Sequence, residues 1–403
     1  MTHPSGRARR LGPGMTAALG YLAMAGSLST DLYLPAFPDI AGDLGASASV
    51  VQLTLTAFLV GSALGQLVIG SVSDVFGRRR TLIAALAVFT ACCFLAAASP
   101  VIGMLVTVRC IQGFAGAAGS VLARAVVSDL SAPEDAVRAF SRLWIMTALG
   151  PAVASPLGAW LTEVGGWRTA LLGLAVLAAG MLTTAALAIP ESLPPQRRHP
   201  PTPRAIGRTM ARLLRDRRFV GWVISFGAAY AALMSYIGSS SFIVQDVLGI
   251  SPFGYGLTFT ATSVAVMAGA WLSGRLAARW RPARILRFGQ LLALSAALVA
   301  AALAATQSLT LVTYLPLVVA FCAGCGTMMS TGSALAVGAA GPTAGTGSAL
   351  LGFTQFLMGA IVSPLGGIAG TTTAVPATIV MAVSPAIGLI AASLAARAAE
   401  PVR

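Results

Sequence analysis

Long apolar runs separated by short polar breaks repeat along the chain from 13 to 398. Each run approaches the roughly 20 residues that carry a helix across a bilayer. The breaks divide them into spans at 14–36, 47–73, 80–98, 100–127, 140–162 and 168–190, then 219–243, 255–278, 283–305, 309–338, 345–370 and 374–398. The pattern predicts an all-α membrane protein of twelve transmembrane helices. Alternating amphipathic segments of about ten residues are absent, which argues against a β-barrel.

The segment 191–218 interrupts the series with Pro194, Pro195, Arg197, Arg198, Pro200, Pro201 and Pro203. It reads as a linker, with a short amphipathic helix at 208–215, between a six-helix unit at 1–190 and another at 219–403. The units resemble each other. Gly70-Ser-Val-Ser-Asp74-Val-Phe-Gly77-Arg78-Arg79-Arg80 follows the second span, and Gly274-Arg-Leu-Ala-Ala-Arg-Trp-Arg281-Pro-Ala-Arg284 follows the eighth. Ser155-Pro156-Leu157-Gly158 in the fifth span recurs as Ser363-Pro364-Leu365-Gly366 in the eleventh. From Gly70 to Gly274 the offset is 204 residues and from Ser155 to Ser363 it is 208, a consistent register for a duplicated unit. Repeated halves around a midplane site are a common build of secondary transporters.

Composition agrees: 57% of residues are hydrophobic and 9% charged, against about a quarter charged in soluble proteins. The net charge of +14 suggests a nucleic-acid surface until the arginines are placed. Arg7, Arg9, Arg10, Arg78, Arg79, Arg80, Arg138, Arg142 and the basic segment from Arg275 to Arg287 share one side with the linker. Asp39, Asp43, Glu163 and Asp246 lie opposite, with Arg168 the one basic residue among them. The positive-inside rule therefore places both termini in the cytoplasm. The expected partner is the lipid bilayer, with no nucleic acid. No signal peptide is read at the start, where 19 opens the first retained span. Cys92, Cys93, Cys110, Cys322 and Cys325 fall inside apolar runs as small packing residues, and no metal site is expected. His3 and His199 lie in the tail and linker, leaving no histidine relay. No Walker-type loop supplies ATP chemistry, and no nucleophile–base set suggests an enzyme.

Asp31, within the first span, is the most informative residue. An ionisable group at membrane depth costs several kcal/mol unless paired or hydrated, so it marks function or, near the outer end, a helix cap. Arg109 lies nine residues beyond Pro100, about 13 Å into the fourth span. Asp31 is its obvious partner, with backbone carbonyls, a polar side chain or substrate as alternatives. Gln112 lies one turn on, and Gly113 and Gly116 admit a close neighbour. In 70–80, Gly77 permits a turn, Asp74 suits the backbone donors of a helix start, and Arg78 and Arg79 anchor at headgroups, forming with Gly70 a conformational latch. Gly150, Pro151, Pro156 and Gly158 interrupt the fifth span as a hinge, or as ordinary membrane-helix packing. Tyr230, Ser235, Tyr236, Ser239, Ser240 and Ser241 give the seventh span a mixed lining suited to amphipathic ligands or to an interfacial belt.

These residues together resemble the major facilitator superfamily, and within it the bicyclomycin-resistance (Bcr/CflA) drug/proton antiporters, over essentially the whole chain. Gly70-x-x-x-Asp74-x-x-Gly77-Arg78-Arg79 is similar to the superfamily signature between helices two and three, with Val75 where a basic residue is usual. Arg109-x-x-Gln112-Gly113-x-x-Gly116 resembles the helix-four motif linked to proton coupling. Gly150-Pro151 with Pro156 and Gly158 resembles the antiporter motif of helix five, without its full glycine set. Thr30-Asp31-Leu32-Tyr33-Leu34-Pro35, Ala123-Arg124-Ala125 with Asp129, Ser235-Tyr236-Ile237 and Gly345-Thr346-Gly347-Ser348 are similar to the drug-exporting subfamily.

The resemblance implies two halves rocking about a cavity lined by helices 1, 4, 7 and 10 in a bacterial inner membrane. It implies Asp31 and Arg109 as proton-coupling residues, and substrate contacts at Tyr33, Gln112, Tyr230, Ser235 and Tyr236. The proton is the coupling ion, with no other cofactor. The substrate is expected to be a neutral or mixed-polarity antibiotic, and a monomer suffices because one repeat pair encloses the cavity. A facilitator or importer of a metabolite, with Asp31 structural, is the alternative; a membrane sensor on the same fold would carry an added soluble domain.

Overall fold

Lipid offers the backbone no hydrogen bonds, so each apolar run satisfies its own as helix. The computed structural model of the chain describes residues 12–130, 133–197, 203–367 and 373–398. Arg7, Arg9, Arg10, Arg198, Pro200, Pro201, His3 and His199 lie outside the described residues, as do the side chains of Arg138 and Arg142.

The helices are α1 Pro13–Ala23, α2 Ala25–Asp31, α3 Phe37–Asp43, α4 Ala48–Phe76, α5 Arg78–Ala97, α6 Ile102–Leu130 and α7 Pro133–Ala188. After the linker come α8 Pro203–Arg215, α9 Arg217–Phe242, α10 Pro252–Leu276, α11 Pro282–Ala305, α12 Leu311–Ala340, α13 Ala344–Val362 and α14 Val375–Arg397. Among the described residues, ten helices are long and apolar enough to cross a membrane. One of the ten, Leu149–Ala188, contains two expected spans. The chain turns back inside it at Gly165 and Gly166, where Gly166 takes a φ of 75°, so that Leu161 packs against Gly173. Gly14–Ala23 is the shorter apolar start of the first span.

That first span is the main departure from the expected pattern. It breaks at Met24 and again after Asp31, continuing through a 3-10 turn at Leu34–Ala36 into α3. Pro35 withholds a backbone donor in that turn.

Small residues set the closest crossings. A side chain on Gly61 would meet the carbonyl of Cys110, and one on Gly113 the carbonyl of Phe58, so α4 and α6 touch backbone to backbone. The same reciprocal crossing recurs between α10 and α12, where Gly269 faces the carbonyl of Ala323 and Gly326 that of Val266. The duplicated register thus shows as duplicated packing.

The helices before the linker meet those after it mainly along α7 with α10 and α4 with α13. Four hydrogen bonds join the two groups among the described residues: Gln52 Nε2 to Gly238 O (3.0 Å), Gln245 Nε2 to Pro35 O (3.0 Å), Phe253 N to Glu163 Oε1 (2.9 Å) and Thr260 Oγ1 to Ala152 O (3.2 Å). All four lie in the half of the bundle away from the arginine-rich turn at 77–80. Among the described residues, the bonds between the two groups are thus concentrated at that opposite end.

Candidate functional site

Asp31 is the last residue of α2, and it is 4% exposed. Its Oδ1 accepts a hydrogen bond from Thr30 Oγ1 at 2.9 Å. The 3-10 turn that follows it, Leu34–Ala36, packs against α7, α9 and α10, which places this segment where the two helix groups meet.

Arg109 is fully buried in α6. The expected ion pair with Asp31 is not made. Nη1 of Arg109 donates to Gln112 Oε1 at 2.7 Å, while Nε and Nη2 have no hydrogen-bond partner. The guanidinium instead lies between two ring faces, 4.7 Å from the centroid of Tyr33 and 4.5 Å from that of Phe58. A desolvated cation over an aromatic face gains about 2 kcal/mol, which offsets part of the burial cost. Asp31 and Arg109 are thus linked indirectly, because Tyr33 follows Asp31 by two positions on the broken segment.

Both polar ends of the Gln112 side chain are engaged within the protein. Its amide donates to Cys93 Sγ at 2.9 Å while its carbonyl holds Arg109. Tyr33 hydrogen-bonds Thr54 of α4 at 2.7 Å and packs edge-on against Phe37. Tyr230 meets Phe356 of α13 edge-on. Ser235 donates to Ala377 O of α14 at 3.4 Å, and Tyr236 bonds Thr262 of α10 at 3.0 Å while stacking on Phe259. The structure therefore brings Tyr33 and Arg109 together and does not bring Asp31 to Arg109, the one side-chain hydrogen bond of Asp31 among the described residues being to its neighbour Thr30. Ser235 and Tyr236 are engaged with α14 and α10. Phe58 supplies the second ring face over the arginine and Thr54 holds Tyr33, and no charge or motif in the sequence singles either out.

The turn at 77–80 is built as a hub on Arg78. Gly77 takes a φ of 96°, which favours glycine. Asp74 does not bond the donors of α5, as the sequence suggested; it pairs with Arg78 Nη1 at 2.6 Å. Glu191, at the start of the linker, accepts from Arg78 N at 2.9 Å instead. Nε of Arg78 reaches Asp129 of α6 at 3.2 Å, and Ser192 donates to the same carboxylate oxygen at 2.8 Å. Arg79 donates to Ala186 O at 2.6 Å, which ties the turn to the end of α7. Gly70 faces only Val121 at an ordinary distance and is not required by packing.

In the fifth span a side chain on Gly158 would strike the carbonyl of Leu32, next to Asp31, and one on Gly150 would crowd Ser27 of α2. A side chain on Gly256 of α10 would meet the backbone of Pro156. These residues hold the broken first span against α7. At the end away from the arginine-rich turn, Asp43 accepts from Arg168 Nη1 at 2.5 Å and Trp167 Nε1 at 2.9 Å, and these bonds hold its carboxyl below the usual carboxylate range. Among the described residues no group of three or more His, Cys, Asp or Glu side chains converges.

Fold and site define an all-helical, multi-span membrane transport protein. A match to the Major Facilitator Superfamily spans residues 18–364, and the chain belongs to that family. Its work is transport, not catalysis, and the family needs no cofactor. The chain is 36% identical over 394 residues to the uncharacterized MFS-type transporter YdgK of Bacillus subtilis, covering 96% of each chain. It is 26% identical over 378 residues to a bicyclomycin resistance protein homolog of Haemophilus influenzae, covering 93% of this chain and 94% of that one. In fold it is similar to the D-xylose-proton symporter, with TM-score 0.73, 17% identity, and 95% and 96% of the two chains covered. It is likewise similar to a bacterial homologue of the lysosomal transporter Spinster in an inward-facing conformation, with TM-score 0.73, 15% identity, and 97% and 98% covered.

Proposed function

We propose that the chain is a proton-coupled exporter of small, drug-like molecules. The observation that carries the reading is a carboxyl buried at the meeting of the helix groups, without a cationic partner, on a broken helix that also supplies a ring to a buried arginine. A carboxylate there is costly, and taking up a proton removes the charge.

The cycle follows. With the arginine-rich end in the cytoplasm, as the positive-inside rule gives, the hydrogen bonds concentrated at the opposite end support an inward-facing reading. Protons enter from outside when those contacts open, and Asp31 takes one. The change of charge alters the broken segment and moves Tyr33 relative to Arg109. Substrate enters from the cytoplasmic side as the proton leaves. The units 1–190 and 219–403 rock about the cavity, with 191–218 as linker. The latch at Arg78 holds α4, α6 and the linker start together in the inward-facing state. The gradient then drives export. Drug export as the direction is supported by relatives named for bicyclomycin and multidrug resistance, at 26% and 27% identity. A neutral or mixed-polarity antibiotic suits the aromatic and hydroxyl surroundings of Asp31.

Everted membrane vesicles, energised and challenged with an antibiotic panel, test the reading. A substrate should lower the proton gradient in wild-type vesicles and leave it unchanged with Asp31→Asn. Downhill movement indifferent to the gradient and to the substitution would make the chain a facilitator.

A further inference from the structure

The repeated Ser-Pro-Leu-Gly motif falls on both of the main contacts between the helix groups. Ser155 to Gly158 lies in α7, which packs on α10; Ser363 to Gly366 forms the turn that ends α13, which packs on α4. A side chain on Gly256 of α10 would meet the backbone of Ser155 and Pro156. One on Gly238 of α9 would meet the hydroxyl of Ser363 and the Leu55 side chain of α4. Gln52 of α4 closes that second contact by donating to Gly238 O at 3.0 Å.

Both serines are fully buried, and neither hydroxyl has a hydrogen-bond partner among the described residues. Oε1 of Gln52, a residue 1% exposed, has none either. A helical serine commonly turns its hydroxyl back to a carbonyl three or four residues earlier. Ser240 does so to Ile237 O and Ser384 to Val380 O, both at 2.9 Å. Ser155 and Ser363 depart from that habit at matching positions of the two repeats. A buried hydroxyl without a partner costs free energy for as long as water is kept from it. The cost belongs to the packed arrangement, because water reaches these groups once α4 and α10 draw away.

We propose that the two Ser-Pro turns keep the contacts away from the arginine-rich end short of full stability, so that this end opens without a ligand. The proposal rests on the inward-facing reading above. Hydrogen bonds across the groups favour the closed arrangement; the unpaired Ser155, Ser363 and Gln52 oxygens favour the open one. Duplication gives each group one such turn against a helix of the other.

The test is a spin-label distance measurement on the full chain in lipid nanodiscs. Labels go on Val101→Cys and Val312→Cys, exposed positions at the starts of α6 and α12, one in each group. The native cysteines are buried or half-buried. Neither substrate nor a proton gradient is used, so failure here is distinct from failure of proton coupling in vesicles. The wild type should show a short and a long distance. Ser155→Ala and Ser363→Ala should each lower the long-to-short ratio about tenfold, the size of one unpaired buried hydroxyl. Trp222→Phe is the comparison. Its indole N–H is also buried without a partner, but among α9, α11 and α14 of one group, so its loss should leave the ratio unchanged. A single distance in the wild type overturns the proposal. So does a ratio unchanged or raised in either serine variant, or an equal fall with Trp222→Phe.

Discussion

The guanidinium of Arg109 lies over the ring of Tyr33, 4.7 Å from its centroid, and not against the carboxylate of Asp31. The ring that faces the fourth-span cation thus stands two residues from the first-span acid on the same broken segment. That geometry separates shape from charge at position 109. Arg109→Lys retains the charge and loses the planar stack between Tyr33 and Phe58. A loss of roughly 2 kcal/mol of face contact predicts proton-driven transport falling by about thirtyfold. Tyr33→Phe keeps the ring and gives up the bond to Thr54, which costs only about 1 kcal/mol. Initial rates in vesicles rank the two; a harmless Arg109→Lys would refute the stack.

Gly158 and Gly70 make opposite predictions from similar motif positions. Gly158→Ala places a methyl into the carbonyl of Leu32, where backbone must yield, and should destabilise the protein by about 1–3 kcal/mol. Gly70→Ala meets nothing closer than Val121 at 3.7 Å and should leave stability unchanged. Thermal unfolding in detergent compares them.

At the turn proposed as a latch, Arg78 serves three carboxylates at once, through Asp74, Asp129 and its backbone bond to Glu191. Arg78→Ala should impair transport more than Asp74→Asn, whose solvent-screened pair is worth under about 1 kcal/mol. Transport rates matched for expression level decide this, and equal losses would remove Arg78 from the centre of the turn.

Asp43 gives a signed pH prediction. Arg168 and Trp167 hold its carboxyl below the ordinary value, so its tie is present above that value and is lost as pH falls through the lowered one. The carboxylate is therefore fully charged between about pH 5 and 8. Asp43→Asn should leave the shape of the transport pH profile in that window unchanged. A profile flattened by Asp43→Asn would place proton coupling at the wrong acid.

Much of this was legible from apolar run lengths. The spans at 47–73, 80–98, 219–243 and 283–305 each lie within a few residues of α4, α5, α9 and α11. Run length carries no signal for a break among residues that are themselves apolar, and so the interruption at Met24 was hidden. Charge reasoning singled out Asp31 and Arg109 and offered Asp31, backbone carbonyls, a polar side chain or substrate as the arginine's partner. The structure takes the polar side chain, Gln112, and adds ring faces that counting charges does not see, since Phe58 looks like any core residue. Similarly, Asp74 and Gly77 were visible as turn chemistry. The choice between a backbone donor and Arg78 as the partner of Asp74 depends on Glu191, more than a hundred residues away.

The most direct test of the central claim separates movement from coupling at Asp31. Reconstituted wild-type protein and Asp31→Asn are compared for substrate exchange without a gradient and for accumulation driven by a proton gradient. The account predicts that Asp31→Asn still exchanges substrate while gradient-driven accumulation disappears. Accumulation by Asp31→Asn at the wild-type rate would contradict it and leave Asp31 a structural residue.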